Sequence, residues 1–157
     1  MSSVPLIQWQ IVRLEGLSLR QLYAILAARE AVFVVEQACP YQELDGLDMD
    51  AWHVIGWSGE KVAAYLRMLP PGTRFAEPSI GRVLTTRDFR GQGLGREAMA
   101  RAIEFMEATY PTQNIRISAQ TYLESFYAGF GFVKVSEAYL EDGIPHVEML
   151  RSAPQRR

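Results

Sequence analysis

The spacing of apolar and polar positions changes period several times along the chain. Leu6 to Leu14 alternates roughly and predicts a first strand. Ser18 and Gln21 have capping-box spacing, and Leu19, Leu22, Tyr23 and Leu26 share one face behind them, so a helix is expected to about Glu30. The apolar run Val32-Phe33-Val34-Val35 ends on Glu36 and Gln37 and reads as a further helical turn with Val32, Phe33 and Val35 in the core. Ala38 to Asp50 carries Pro40, Gly46 and several acids and is a loop. Ala51 to Trp57 and Lys61 to Leu69, separated by Ser58-Gly59-Glu60, form a hairpin. A loop opens at Pro70-Pro71-Gly72, and Ile80, Val83 and Leu84 then mark another strand. Leu94, Ala98, Met99, Ala102, Ile103 and Met106 fall on one helical face, and Asn114 to Ala119 is again a strand. Strand, helix and strand across 79–119 predict a right-handed crossover between parallel strands. A second capping box, Thr121 with Glu124, opens a short helix, Tyr122 to Phe130, that Gly131 stops. Phe132 to Leu140 alternates as a strand, Asp142-Gly143 turns the chain, and Ile144 to Arg151 returns with Pro145 marking an edge or a strand start. Ser152 to Arg157 is expected to be a disordered tail.

These elements sum to β-α-ββ-β-α-β-α-ββ, the order of a mixed α/β sheet in a single domain over residues 1–151. The length of 157 residues favours one domain, and 48% hydrophobic with 22% charged residues is ordinary for a soluble globular protein. A net charge of −2 disfavours nonspecific nucleic-acid binding. One cysteine, Cys39, excludes an internal disulfide framework. The start MSSVPLIQWQ lacks the basic-then-apolar pattern of a signal peptide, and no apolar run approaches a membrane span, so a cytoplasmic location is expected.

The chemistry concentrates in the turn Arg90-Gly91-Gln92-Gly93-Leu94-Gly95-Arg96. Glycines at every second position let backbone amides approach a ligand with no side chain between. The first amides of the following helix lack intrahelical partners and carry the positive end of its dipole, which suits a phosphate. No acid occupies the turn, and Arg90 and Arg96 flank it. The spacing is neither Gly-x-Gly-x-x-Gly nor a P-loop. It is Arg-x-x-Gly-x-Gly, as Arg90, Gly93 and Gly95.

That motif resembles the acyl-CoA pyrophosphate loop of the GNAT superfamily of N-acyltransferases. A second motif, Phe126-Tyr127-Ala128-Gly129-Phe130-Gly131-Phe132, is similar to the Phe-Tyr-x-x-x-Gly-Phe element of that superfamily, and the order of elements matches over nearly the whole domain. Val32 to Gln37, Cys39 to Gln42, Asp45-Gly46 and Glu141 to His146 look like the ElaA branch. The resemblance implies a GNAT-like fold with a splayed central sheet. It implies acetyl-CoA as acyl donor, with the backbone of Val83, Leu84 and Thr85 on the pantetheine arm and one of those amides at the thioester carbonyl. Arg90, Gly91, Gln92, Gly93, Leu94, Gly95 and Arg96 would hold the pyrophosphate. Gln120 stands where many relatives carry a pantetheine-touching asparagine, keeping the amide on a longer arm.

The implied reaction is direct attack of a primary amine on the thioester. Cys39 lies among acids, which raise a thiol's pKa, so a covalent acyl-enzyme is not expected. The leaving thiolate needs a proton, and a phenol near pKa 10 suits a thiol near about 8.5. Tyr127 holds that position by resemblance, against the plainer reading that its ring only packs. For the base, Glu36, His53 and His146 stay open, or a glutamate acting through water. Glu36 ends an apolar run where desolvation would raise its pKa, and His146 lies near the acceptor side with Glu148 on the same strand face. His53 between Trp52 and Val54 reads by default as a packed histidine. Cys39, His53 and His146 are too scattered for a metal site. The acids Glu43, Asp45, Asp48 and Asp50 form either a solvated loop or an acidic lip attracting a cationic acceptor, a small molecule or a peptide amine. Exposed edge strands allow a homodimer. A non-catalytic module that binds or senses acyl-CoA is the alternative.

Overall fold

Two sheets meet along a seam, and the seam positions everything that follows. The computed structural model describes residues 6–154. Strands β1 (Gln8–Arg13), β2 (Trp52–Ser58), β3 (Lys61–Leu69) and β4 (Ser79–Thr85) pair antiparallel in that order. Strands β5 (Ile115–Gln120), β6 (Val133–Lys134), β7 (Tyr139–Glu141) and β8 (Ile144–Arg151) form the second sheet, in which β8 is paired by all three of the others. Pro145 therefore marks the start of a central strand, not an edge. The described residues hold three α-helices, α1 (Leu19–Arg29), α2 (Leu94–Thr109) and α3 (Glu124–Ala128), besides shorter 3-10 and π-helical stretches.

The crossover expected over 79–119 is present, but no ladder joins its strands among the described residues. β4 and β5 start together, where Arg116 N donates to Pro78 O at 3.0 Å, and their far ends line one cavity. They run parallel and splay apart.

Both faces of the first sheet are covered, which is why Val62 to Leu69 is buried without alternation. On one face α2 lays down Ala98, Met99, Ala102, Ile103 and Met106 against Val54, Leu66, Met68 and Ile80 of the first sheet and Ile117 and Met149 of the second. The same core thus spans the seam. On the other face Ile25 and Phe33 pack on Ile55, Tyr65 and Leu84.

The Ser18–Gln21 capping box forms as expected, with Gln21 N donating to Ser18 Oγ at 3.1 Å and Ser18 N to Gln21 Oε1 at 2.9 Å. The expected face of α1 holds only in part, however, with Leu22 and Leu26 half-buried. Leu19 and Tyr23 are 86% and 77% exposed, and the buried positions are Ile25 and Arg29. A buried arginine with acidic partners turns the helix away from its apolar stripe. The further helical turn is a π-helical stretch, Glu30–Glu36, in which Phe33 is buried but Val35 is exposed. The Thr121–Glu124 box does not form. A 3-10 turn, Thr121–Leu123, precedes α3, and no side chain caps either one. The strand expected over Phe132–Leu140 breaks in two. From Lys134↔Met149 to Tyr139↔His146, five steps on one strand answer three on β8, a bulge of two residues. Ser152 to Pro154 continues β8 without regular structure, tied by Ala153 N donating to Asn114 Oδ1 at 2.8 Å. The rest of the expected tail, residues 155–157, lies outside the described residues, as do residues 1–5 of the expected leaderless start. Among the described residues no helix is long and apolar enough to cross a membrane.

Candidate active site

The open seam begins with a kink in β4. Tyr65 faces Leu84 and Arg67 faces Gly81, so Arg82 and Val83 together oppose one residue of β3. Arg82 takes a left-handed conformation at φ 53°. This bulge bends β4 away from β5. Beyond it, Thr86 N donates to Ala63 O at 3.0 Å. Successive amides point to opposite strand edges, so beyond the bulge the Leu84 amide also faces β3 and that of Thr85 faces the seam. The Thr85 carbonyl is reached there by Arg90 Nε at 3.0 Å.

At the end of β4 lies the glycine turn. Gly91 and Gly93 take left-handed φ values of 81° and 75°, and a Cβ at either would meet nothing within 4 Å. Their freedom serves conformation and open approach. Gly95 serves packing, since a Cβ there would come to 3.4 Å from Thr85 Oγ1. Gly91, Gln92, Gly93 and Arg96 are exposed, and the Leu94 side chain is buried against Ala63 and Ala64, leaving only its backbone to a ligand.

Two adjoining cavities fill the seam and share Phe33, Gln37, Val83, Gln120 and Leu123. The outer one, about 450 Å³, adds Leu84, Thr85, Glu36 and Arg90. The inner one, about 90 Å³, adds Ser118, Tyr127, His146, Glu141, Arg74 and Arg82. Tyr127 is 8% exposed, edge-on to Phe126 at 5.1 Å and to Phe132 at 6.2 Å. Burial pushes its phenol above the usual range. No hydrogen bond holds its hydroxyl among the described residues. His146 stands opposite Gln120 in the β5–β8 ladder. Its Nδ1 lies 2.7 Å from the Ile144 carbonyl, which only accepts, so Nδ1 carries a proton. Its Nε2 lies 3.4 Å from Glu141 Oε2.

Residues 21–152 match the family model described as Acetyltransferase (GNAT) domain. The chain belongs to the GNAT acetyltransferase family. It is 41% identical over 152 residues to protein ElaA of Escherichia coli strain K12, covering 96% of this chain and 99% of ElaA. The crystal structure of an acyl-CoA N-acyltransferase from Pseudomonas aeruginosa is similar at TM-score 0.88 and 44% identity, covering 93% of this chain and 99% of that one. The crystal structure of Escherichia coli ElaA is similar at TM-score 0.87 and 41% identity, covering 94% and 100%.

Within this GNAT frame the expected site residues divide. Tyr127, His146, Val83 and Gln120 meet at the inner cavity. Glu36 does not join them. It is exposed and receives Arg90 Nη2 at 2.6 Å, so the desolvation expected of it is absent. His53 is the packed histidine of the plainer reading. It is buried, accepts from Tyr65 Oη at 2.6 Å and donates from Nε2 to Asp48 O at 3.0 Å, and burial lowers its pKa. It lines neither cavity.

The acidic lip is also overturned. Three of its four carboxylates are held by three arginines. Arg29, 1% exposed, reaches Glu43 Oε2 and Asp48 Oδ1, each at 2.7 Å. Arg67, 2% exposed, reaches Asp45 Oδ2 at 2.5 Å and Asp48 Oδ1 at 3.1 Å. Arg82 Nε lies 2.6 Å from Glu43 Oε1. These charges cancel inside the protein, and the loop becomes the internal brace of β4. Cys39 is buried with Sγ 3.1 Å from Asp142 O, a packing contact that joins this loop to the β7–β8 turn.

Sequence reasoning missed Ser118, Arg74, Glu141 and Arg82 at the inner cavity. Ser118 was within reach, because strand alternation puts it on the face of Gln120. Arg74 and Glu141 are 67 residues apart and paired only by the fold.

Proposed function

We propose that this chain transfers an acyl group, in the simplest case acetyl from acetyl-CoA, to a primary amine by direct attack. One observation carries the reading: no ladder joins β4 to β5 among the described residues, and the cavities between them are lined from Thr85 and Arg90 at the outer end to Tyr127 at the inner end. The residues fit the donor. Bare amides at Gly91 and Gly93 accept an anion, Arg90 and Arg96 supply charge, and the seam lacks the strand that a pantetheine arm replaces. Acyl-CoA supplies an activated thioester. A β4 amide stabilises the oxyanion that forms on attack. Tyr127, with its hydroxyl uncommitted and its phenol kept protonated by burial, gives its proton to the departing sulfur. Inner-cavity groups, His146 first, take the proton of the acceptor.

The first test is calorimetric titration with acetyl-CoA, beside Gly93→Asp. That position has room for the side chain, and aspartate tolerates its left-handed backbone. Binding by the wild type and its loss in the folded variant are expected. Thiol release is then followed with ethanolamine, spermidine, free amino acids and a lysine peptide as acceptors. A folded wild type that binds no acyl-CoA sinks the proposal, and binding without release from any amine favours a sensing module instead.

A further inference from the structure

We infer that Glu141 and His146 act as one proton-accepting pair for the acceptor ammonium, with Arg74 as the counter-ion that sets the carboxylate between them; this rests on the transferase reading above. The two oxygens of Glu141 are divided. Oε1 is held by Arg74, and Oε2 lies 3.4 Å from His146 Nε2. The other ring nitrogen is fixed on the Ile144 carbonyl at 2.7 Å, which leaves Nε2 as the basic atom and turns it toward the carboxylate. Catalytic contacts are often this long before substrate binds and tighten with it. The frame is rigid. Glu141 and Ile144 pair across a two-residue turn, Asp142-Gly143, with φ values of 52° and 78°, and Cys39 holds that turn by its carbonyl.

The proton path balances. An ammonium meeting the exposed edge of Glu141 passes one proton to the shared site between carboxylate and imidazole. The nitrogen lone pair so freed attacks the thioester carbon. The carbon–sulfur bond breaks with its electrons on sulfur, and Tyr127 protonates the thiolate. The second nitrogen proton of the adduct restores the phenol, and the first leaves to water past Glu141.

The other groups around the ring do not compete. Tyr139 stacks on it at 6.2 Å, and burial raises Tyr139, Tyr127 and Tyr41, so all three phenols stay neutral. Arg82 is taken by Glu43 and Asp45, and Glu148 by Arg116 at 3.1 Å. Asp142 is exposed, with its backbone in the turn. Among the described residues Glu141 is the charge in contact with Nε2, and Arg74 holds the other oxygen of that carboxylate.

A carboxylate beside the ring favours its charged form, and a guanidinium opposes it. The test is the pH titration of the His146 ring by NMR, where the chain's two histidines separate easily, in wild type, Glu141→Gln and Arg74→Gln. The same proteins are assayed for thiol release from acetyl-CoA with the amine panel. The expected result is a titration midpoint and an acid limb of kcat/KM that both move to lower pH in Glu141→Gln and to higher pH in Arg74→Gln. In Glu141→Gln, kcat should also fall about a hundredfold, with acetyl-CoA affinity unchanged. An acid limb of kcat/KM that stays in place while the ring midpoint moves, or shifts in the same direction or none in the two variants, overturns the pair, since nearby charges move the ring whether or not it takes the proton. No thiol release from the wild type with any amine overturns the transferase reading and the pair's role with it, whatever the NMR shifts.

Discussion

Tyr127 is asked for two opposed properties, and its surroundings decide the balance. Burial among Phe126, Phe132 and the α2 core raises its phenol, which weakens it as an acid but guarantees that a proton is present at every working pH. A thiolate formed beside the same buried ring is also raised, so the transfer stays near matched. Tyr127→Phe keeps the packing and removes only the proton. Its kcat should fall about a hundredfold while calorimetric affinity for acetyl-CoA is retained. Loss of affinity with intact kcat would make the ring a binding element instead. Glu36 invites the opposite experiment. It occupies Arg90, the guanidinium that flanks the glycine turn, in a half-exposed ion pair at 2.6 Å. An arriving pyrophosphate competes with it. Exposed pairs are worth up to about 1 kcal/mol, so Glu36→Gln should tighten acetyl-CoA binding by up to about fivefold with kcat preserved. A collapse of kcat would return Glu36 to the role of base.

Among the elements, β4 is the one whose shape matters most and whose cause lies furthest away in sequence. Its bulge residue Arg82 is tied to Glu43 and Asp45, which are tied in turn to Arg29 on α1 and Arg67 on β3. Removing one member strands the rest. Arg29→Met should lower unfolding free energy by about 3–5 kcal/mol, read from urea melts. Arg29→Lys should recover little of it, because one ammonium cannot serve two carboxylates in a fixed fork. A loss below about 1 kcal/mol would mean that water reaches the network. The same network explains where sequence reasoning stopped. The α2 face was legible in full, since Leu94, Ala98, Met99, Ala102, Ile103 and Met106 are all buried and their partners need only be apolar. The glycine turn and the β7–β8 hairpin were legible because local backbone chemistry dictates them. The α1 face was not, because Arg29 is buried by acids 14 and 19 residues on. Nor was the split of β6 from β7, where two extra residues interrupt an alternation that looks continuous. The inner cavity was half legible. Tyr127 and His146 came from motifs, but Glu141 and Arg74 meet only through tertiary structure.

For the molecule as a whole, the braced loop makes stability depend on pH in two stages. Burial alone would raise Asp45 and Asp48, but hydrogen bonds and charge from Arg67 and Arg29 reverse this and hold both carboxyls below the usual range. A depressed carboxyl stabilises the fold fully above its unfolded value of about 4, and the contribution is lost as pH falls toward the folded value. His53 acts earlier in the same direction. Burial keeps it neutral in the fold, whereas the unfolded chain binds its proton below about 6.5. Its contribution is complete above that pH and declines below it. The urea midpoint should therefore be level from about pH 8 to 7, fall gently below about 6.5, and fall steeply below about 4. His53→Gln lowers the whole curve, because Tyr65 and Asp48 lose their fitted partner, but it should also remove the gentle stage and leave the steep one. Retention of the gentle decline in that variant would assign it to another group and leave His53 as packing alone.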